Sequence, residues 1–128
     1  MSTIKVDTIK NTSNVEVFTA KAWVNFNGTG TVAIRASGNV SSITDNGVGS
    51  YTVNLTSAMP DTNYSTQGNL AGSTTGWSGT SIVSSDNNPS RPKTSSAISI
   101  VTFQLYNQGG ANTQALNDMD CVNVTIHR

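Results

Sequence analysis

The sequence is poor in the residue types that most catalytic, metal and disulfide sites need. Its 128 residues include one cysteine, one histidine and seven acidic residues, of which Glu16 is the single glutamate. Cys121 has no second cysteine to pair with, which excludes an internal disulfide and a cysteine-based metal site. We expect Cys121 to be a small buried or half-buried residue rather than a reactive or intermolecular thiol, and we expect no cofactor.

The few reactive side chains also lack the partners that catalysis requires. His127 is the penultimate residue, and no nucleophile and carboxylate are placed to form a triad with it. Asp118 and Asp120 are two residues apart and Asp86 precedes two asparagines; such oxygens could bind calcium, but turns use the same residue types. Glycoside cleavage generally uses two well-placed carboxylates, whereas these acids are scattered over predicted turns. The sequence therefore predicts a protein that is not an enzyme and binds no metal.

Charge and long hydrophobic runs are scarce as well. Seven basic residues balance seven acidic ones, and no basic patch is present. Binding to nucleic acid is not expected, because it depends on Lys and Arg side chains that meet phosphates. No apolar run approaches the length of a membrane span, and the first residues lack the apolar segment of a signal peptide. We expect synthesis in the cytoplasm and no membrane insertion.

The residue types that are abundant favour β-structure. Valine and isoleucine total 20 residues against four leucines, and serine, threonine, asparagine and glycine make up 61 positions. β-branched side chains fit a pleated sheet and lose rotamer freedom in a helix, and the polar residues suit turns. The length corresponds to one domain. We expect an N-terminal extended arm at residues 1–14 and a β-sandwich domain at residues 15–128.

The clearest strand pattern runs from Ala22 to Ala36. Two alternating apolar runs flank Asn27-Gly28, a step that supplies the positive φ angles of a tight hairpin turn. Every second side chain of such a strand points to the same face. The residues predicted to share one buried face are Ala22, Val24 and Phe26 on the first strand and Val32, Ile34 and Ala36 on the second.

Further strands follow the same alternation. Residues 40–44 and 50–55 predict a second hairpin, residues 97–106 the strongest strand, and residues 122–126 a final strand. Within residues 97–106 the apolar phase changes, which predicts a bulge or a strand buried on both faces. The segment 107–120 is predicted to be a polar loop with a single helical turn near Leu116. The pattern predicts an all-β fold, an antiparallel β-sandwich of jelly-roll or immunoglobulin-like type with about eight strands.

Two aromatic residues are candidates for a binding surface, and a third is a candidate for contact with a neighbouring subunit. Trp77 lies in a Gly/Ser/Thr-rich loop, where it either stacks on a partner or folds back to cap the sandwich. Tyr106 begins a loop at Asn107 and is a weaker candidate of the same kind. Trp23 is out of phase with Val24 and therefore points to the second face of its strand; a neighbouring subunit would cover it most economically.

The first half of the sequence also resembles a known family. The similarity lies in the segments Ala22–Gly30, 34–37, Asn39–Gly47, 51–54 and 58–64, preceded by a similar lead-in at residues 4–9 and 19–21. These segments resemble a β-module found in tail-fibre-like virion proteins of tailed phages of marine bacteria. The resemblance covers about residues 3–65, and residues from 70 onward carry none.

The resemblance implies a structural protein of the virion that exposes loops to a host surface, and we expect the loops around Trp77 and residues 107–120 to contribute to attachment. It implies a homotrimer, contacts with other virion proteins, and a polysaccharide or protein of the host surface as the ligand. The alternative is a capsid decoration, collar or fibre-joining subunit with a purely structural role and no ligand. The family supplies no residue-level binding site.

Overall fold

The computed structural model describes residues 2–15, 19–71, 81–85, 88–108 and 111–128. Within these ranges it contains strands and turns and no helix, so the predicted all-β class is confirmed. The strands are β1 (Ala22–Asn27), β2 (Ala33–Gly38), β3 (Val40–Asp45), β4 (Ser50–Leu55), β5 (Ser65–Ala71), β6 (Ser81–Ser85), β7 (Ala97–Gln108), β8 (Ala111–Leu116) and β9 (Cys121–His127).

The strands form two antiparallel sheets. The first sheet has the order β2-β1-β9-β5, so the first and last long strands of the domain lie side by side in its middle. The second has the order β3-β4-β7-β6, and β8 pairs with the far end of β7. The two sheets bury a common apolar core, and this arrangement is the antiparallel β-sandwich that the sequence predicts.

Most of the core consists of alternate residues of the four central strands, joined by Val40, Met59, Tyr64 and Met119. Between the sheets, the rings of Phe26 and Tyr51 meet with centroids 5.2 Å apart in an edge-to-face arrangement. Burial of one such large apolar side chain stabilises the fold by about 1.5–3 kcal/mol. The other buried members from these strands are Ala22, Val24, Val53, Leu55, Ile98, Ile100, Val122, Val124 and Ile126.

The first hairpin differs from its prediction in two ways. Asn27 pairs with Ala33, so the strands are joined by five residues rather than by a tight Asn27-Gly28 turn, and the positive φ lies at Gly30. A bulge between Asn25 and Phe26 also shifts the register. β1 is buried as predicted, but Ile34 is 37 % exposed, Ala36 is exposed, and only Val32 packs partly against the core. Ile34 and Ala36 are exposed because β2 is the outermost strand of its sheet.

The inward-facing residues of β7 alternate without interruption from Ile98 to Gln104. Its inward side continues from Ile98 and Ile100 into Thr102 and Gln104, which are buried although polar. Thr102 donates its hydroxyl to the Asn117 carbonyl at 2.6 Å, and the Asn117 amide donates to Gln104 Oε1 at 3.0 Å. The pairings of β7 show no register shift, so of the two alternatives for this strand the bulge is wrong.

The predicted polar loop at residues 107–120 is largely a strand. β7 continues to Gln108 and pairs with β8, in which Leu116 lies opposite Phe103. The single helical turn expected near Leu116 is therefore wrong, because cross-strand pairing with β7 fixes an extended backbone there. Beyond Gln104, β7 pairs with β8 but with neither β4 nor β6. The two strands thus form a hairpin that extends past their neighbours in the described part of the sheet.

Candidate functional site: the outer face of the first sheet

The structure does not describe the side chains of the two aromatic residues predicted to form a binding surface. Trp77 lies outside the described residues, so its role stays a prediction. The backbone of Tyr106 belongs to β7 and pairs with Thr113 of β8, on the hairpin extension. Its side chain lies outside the described part of the chain, and its role also stays a prediction.

The carboxylates near the end of the chain serve the fold. Asp118 Oδ1 accepts the backbone N–H of Gly49 and the Tyr51 hydroxyl, each at 2.7 Å. Burial, followed by the contact with Asp118, raises the pKa of Tyr51 far above its ordinary value, so Tyr51 stays neutral and remains the donor. Asp120 pairs with Arg35 at 2.8 Å across the surface. Asp86 lies outside the described residues, in which no three His, Cys, Asp or Glu side chains are grouped to hold a metal ion.

Trp23 lies on the outward face of the first sheet, as its phase predicts. It is 42 % exposed, and Gly38 lies directly across from it on β2. A Cβ atom at Gly38 would overlap the indole nitrogen, so the absence of a side chain there allows the ring to lie against the edge strand. Trp23 therefore presents a broad apolar surface in a fixed place.

A row of asparagines crosses the same face next to Trp23. The register places Asn25 of β1 opposite Asn123 of β9, and Asn123 opposite Asn69 of β5. The Asn25 amide donates to Asn123 Oδ1 at 2.5 Å, and the Asn123 amide donates to Asn69 Oδ1 at 2.9 Å. The Asn25 amide also lies 3.2 Å from Cys121 Sγ, which is half-buried as expected. We call these three residues the asparagine row.

The row of residues next to the asparagine row consists of Trp23 and two polar side chains. Trp23, Thr125 and Gln67 lie opposite one another on successive strands. The side chains of Gln67 and Thr125 make no hydrogen bond to the described residues. Together with Gly68, Asn69 and Asn123 they line a shallow groove of about 330 Å³.

The chemistry of this face suits contact rather than catalysis. β1, β5 and β9 contain no Asp, Glu, Lys or Arg residue, and on β2 the one charged residue, Arg35, is paired with Asp120. Neutral amides and an indole can pack and form hydrogen bonds, but they supply neither a general base nor a strong nucleophile at neutral pH.

Sequence reasoning found Trp23 but missed the asparagine row. A signal was present, because Asn25 and Asn123 each lie in the outward phase of a predicted strand. What the sequence did not provide was the pairing of β9 between β1 and β5, which brings three distant amides into one line.

Comparison of the chain with models of protein families, with curated proteins and with solved structures gives no match. Among the residues described, no helix is long and apolar enough to cross a membrane.

Proposed function

We propose that the protein is a structural component of a phage virion, tail-fibre-like, that assembles as a homotrimer and contributes to attachment to the host surface. The outer face of the first sheet forms the contact between subunits in this proposal. The exposed loops and the β7–β8 hairpin face the host. The subunit has no enzymatic activity of its own.

The observation on which the proposal depends is the combination of Trp23 with the asparagine row. Burial of a polar group without a hydrogen bond costs about 1–3 kcal/mol, which usually keeps amide-rich faces in water. In the asparagine row each amide already bonds its neighbour. Cover by a second subunit therefore costs less than it would for unbonded amides, because part of their hydrogen-bonding capacity is already used, and the half-exposed Trp23 gains apolar burial.

The positions of the family resemblance support a scaffold role for the first half of the chain. Gly28 lies under Tyr51, where a Cβ atom would come within 2.5 Å of the hydroxyl. Asn39 adopts a positive φ of 56° and its amide bonds the carbonyls of Lys21 and Ser57, each at 3.1 Å. Gly47 turns the β3–β4 hairpin with a φ of 116°. Each of these residues lies in a segment that resembles the phage module, and each fixes a turn or a close approach.

The hairpin extension supports the attachment part of the proposal. In the described part of the sheet, β7 and β8 extend beyond β4 and β6, so no further described strand flanks them there. Tyr106 belongs to this extension. Aromatic residues at exposed sites are frequent anchors in recognition, both on sugars and on proteins.

Attachment can be tested on assembled particles. Trp77→Ala and Tyr106→Ala should leave particle yield unchanged and reduce adsorption to host cells severalfold, because each removes a large contact surface. Val48→Ala, which changes a 60 % exposed residue of the β3–β4 turn, is the control and should adsorb normally. Normal adsorption of both aromatic variants would remove these residues from the attachment site.

The place of the subunit on the particle distinguishes attachment from the alternative role. Labelled antibody against the protein, viewed by electron microscopy, should mark the distal ends of the fibres. Label on the shell, at the collar or at a fibre joint would contradict the attachment role and favour a purely structural subunit.

A further inference from the structure

The first residues of the chain expose apolar side chains that nothing covers. Ile4 is 88 % exposed, Val6 59 %, Ile9 54 % and Val15 57 %. These are half of the eight large apolar residues exposed in the described part of the chain, yet residues 2–15 make up a small share of it. Burial of these side chains against a partner would stabilise the contact, because apolar surface is removed from water. We call residues 2–15 the arm.

The arm has the sequence of a strand without a sheet. Ile4 and Val6 alternate with Lys5 and Asp7, the pattern of a strand with one apolar and one polar face. Residues 2–9 nevertheless pair with no strand in the structure. Such a segment gains most by addition to the free edge of an existing sheet, where backbone hydrogen bonds add to apolar contact.

A free edge is present at β2. One side of β2 pairs with β1, and no described strand pairs with the other. Ile34 is 37 % exposed on this strand, and Val32 just before it is only partly buried. On the opposite side of the sandwich β5 lies against β6, whereas β2 and β3 make few contacts. The sandwich is therefore open at β2, and an uncovered edge of this kind readily pairs with another chain.

We propose that the arm of one copy adds to the β2 edge of a second copy, with Ile4 and Val6 covering Ile34. The donor is a second copy because the structure leaves both the arm and the edge of the same chain uncovered. Each copy gives one arm and receives one, and such a head-to-tail contact closes into a ring under rotational symmetry. Extended at about 3.3 Å per residue, residues 2–9 are long enough to pair along the six residues of β2. This inference rests on the proposed self-association and adds to it a second, exchanged contact.

Crosslinking between differently tagged copies tests the exchange. In a Cys121→Ser background, one copy receives Val6→Cys and the other Ile34→Cys, and the two are unfolded together, refolded and treated with a short bismaleimide. We expect a covalent product that contains both tags. The matched control replaces Ile34→Cys by Val48→Cys, a similarly exposed position on the β3–β4 turn, and should give little product.

A second measurement uses aspartate substitutions in the arm. Ile4→Asp with Val6→Asp should raise the protein concentration at which the oligomer dissociates at least tenfold, because the apolar contact is lost. Thr3→Asp with Thr8→Asp adds the same charge to the same arm without removal of an apolar side chain, and should change it far less.

The outcomes separate this inference from the proposed function. A stable oligomer that gives no mixed-tag product, and that the aspartate variants leave intact, overturns arm exchange while self-association stands. A product that forms only when both cysteines are in one chain shows that the arm covers its own edge, which also overturns the exchange. A monomer at every concentration contradicts both proposals.

Discussion

The two faces of the first sheet are made by the same strands and have opposite chemistry. On β1 and β9 the inward residues Val24, Phe26 and Val124 are buried within this chain, whereas the outward residues Trp23 and Asn25 face away from it. The inward face is completed by the second sheet. The outward face links the amides of Asn25, Asn123 and Asn69 in one row and leaves the indole of Trp23 half-exposed. In the proposed function one face supports folding and the other association, so mutations on the two faces should have different consequences.

The largest effect is expected from a core substitution. Phe26→Ala removes the ring that meets Tyr51 and should lower the free energy of unfolding by about 3–5 kcal/mol, since a cavity is left between the sheets. Denaturant unfolding followed by circular dichroism measures it. Phe26→Leu should cost clearly less because it keeps most of the volume. Equal costs for the two variants would contradict a tightly packed inner face.

A smaller effect is expected where backbone approaches a core side chain. Gly28→Ala places a methyl group 2.5 Å from the Tyr51 hydroxyl and should cost about 1–3 kcal/mol of unfolding free energy. In a Tyr51→Phe background the same substitution should cost less, because the hydroxyl that it meets is gone. A double-mutant cycle with no coupling energy would show that the two groups are not in contact.

On the outer face the asparagine row should contribute modestly. Asn123→Ala removes the central amide, which bonds both Asn25 and Asn69, and should cost about 1 kcal/mol of unfolding free energy because water can replace part of the lost bonding. Thr125→Ala is the matched control on the same strand and should be close to neutral. If Thr125→Ala were the more destabilising, the row would not be bonded as described.

The smallest effect concerns an exposed ion pair. The hydrogen bond from Arg128 holds the pKa of the Asp61 carboxyl below its ordinary value. A carboxyl whose folded pKa is depressed stabilises the fold above its unfolded pKa and loses this contribution as pH falls through the folded pKa. Asp61→Asn should therefore slightly flatten the loss of melting temperature below about pH 4 and leave neutral stability almost unchanged. An unchanged acid slope would contradict this linkage.

The sequence predicted the inward face far better than the outward one. Alternation alone identified Ala22, Val24 and Phe26 as core residues, because burial of every second side chain is a local property of a strand. It failed for Ile34 because exposure at an edge depends on strand order. It failed for β8 because a polar segment becomes a strand only through pairing with β7.

The candidate site shows the same limit. The phase of Trp23 is local and was predicted, whereas the asparagine row exists only through the register of three strands distant in sequence. The predicted roles of Trp77 and Tyr106 depend on side chains outside the described residues and stay predictions.

Sedimentation of the wild-type chain and of Trp23→Ser over a dilution series tests the central claim most directly. We expect the wild type to sediment as a trimer, and Trp23→Ser to sediment as a folded monomer with nearly the wild-type circular dichroism spectrum. A wild type that is monomeric throughout, or a Trp23→Ser variant that stays trimeric, would contradict the account that the outer face of the first sheet joins the subunits.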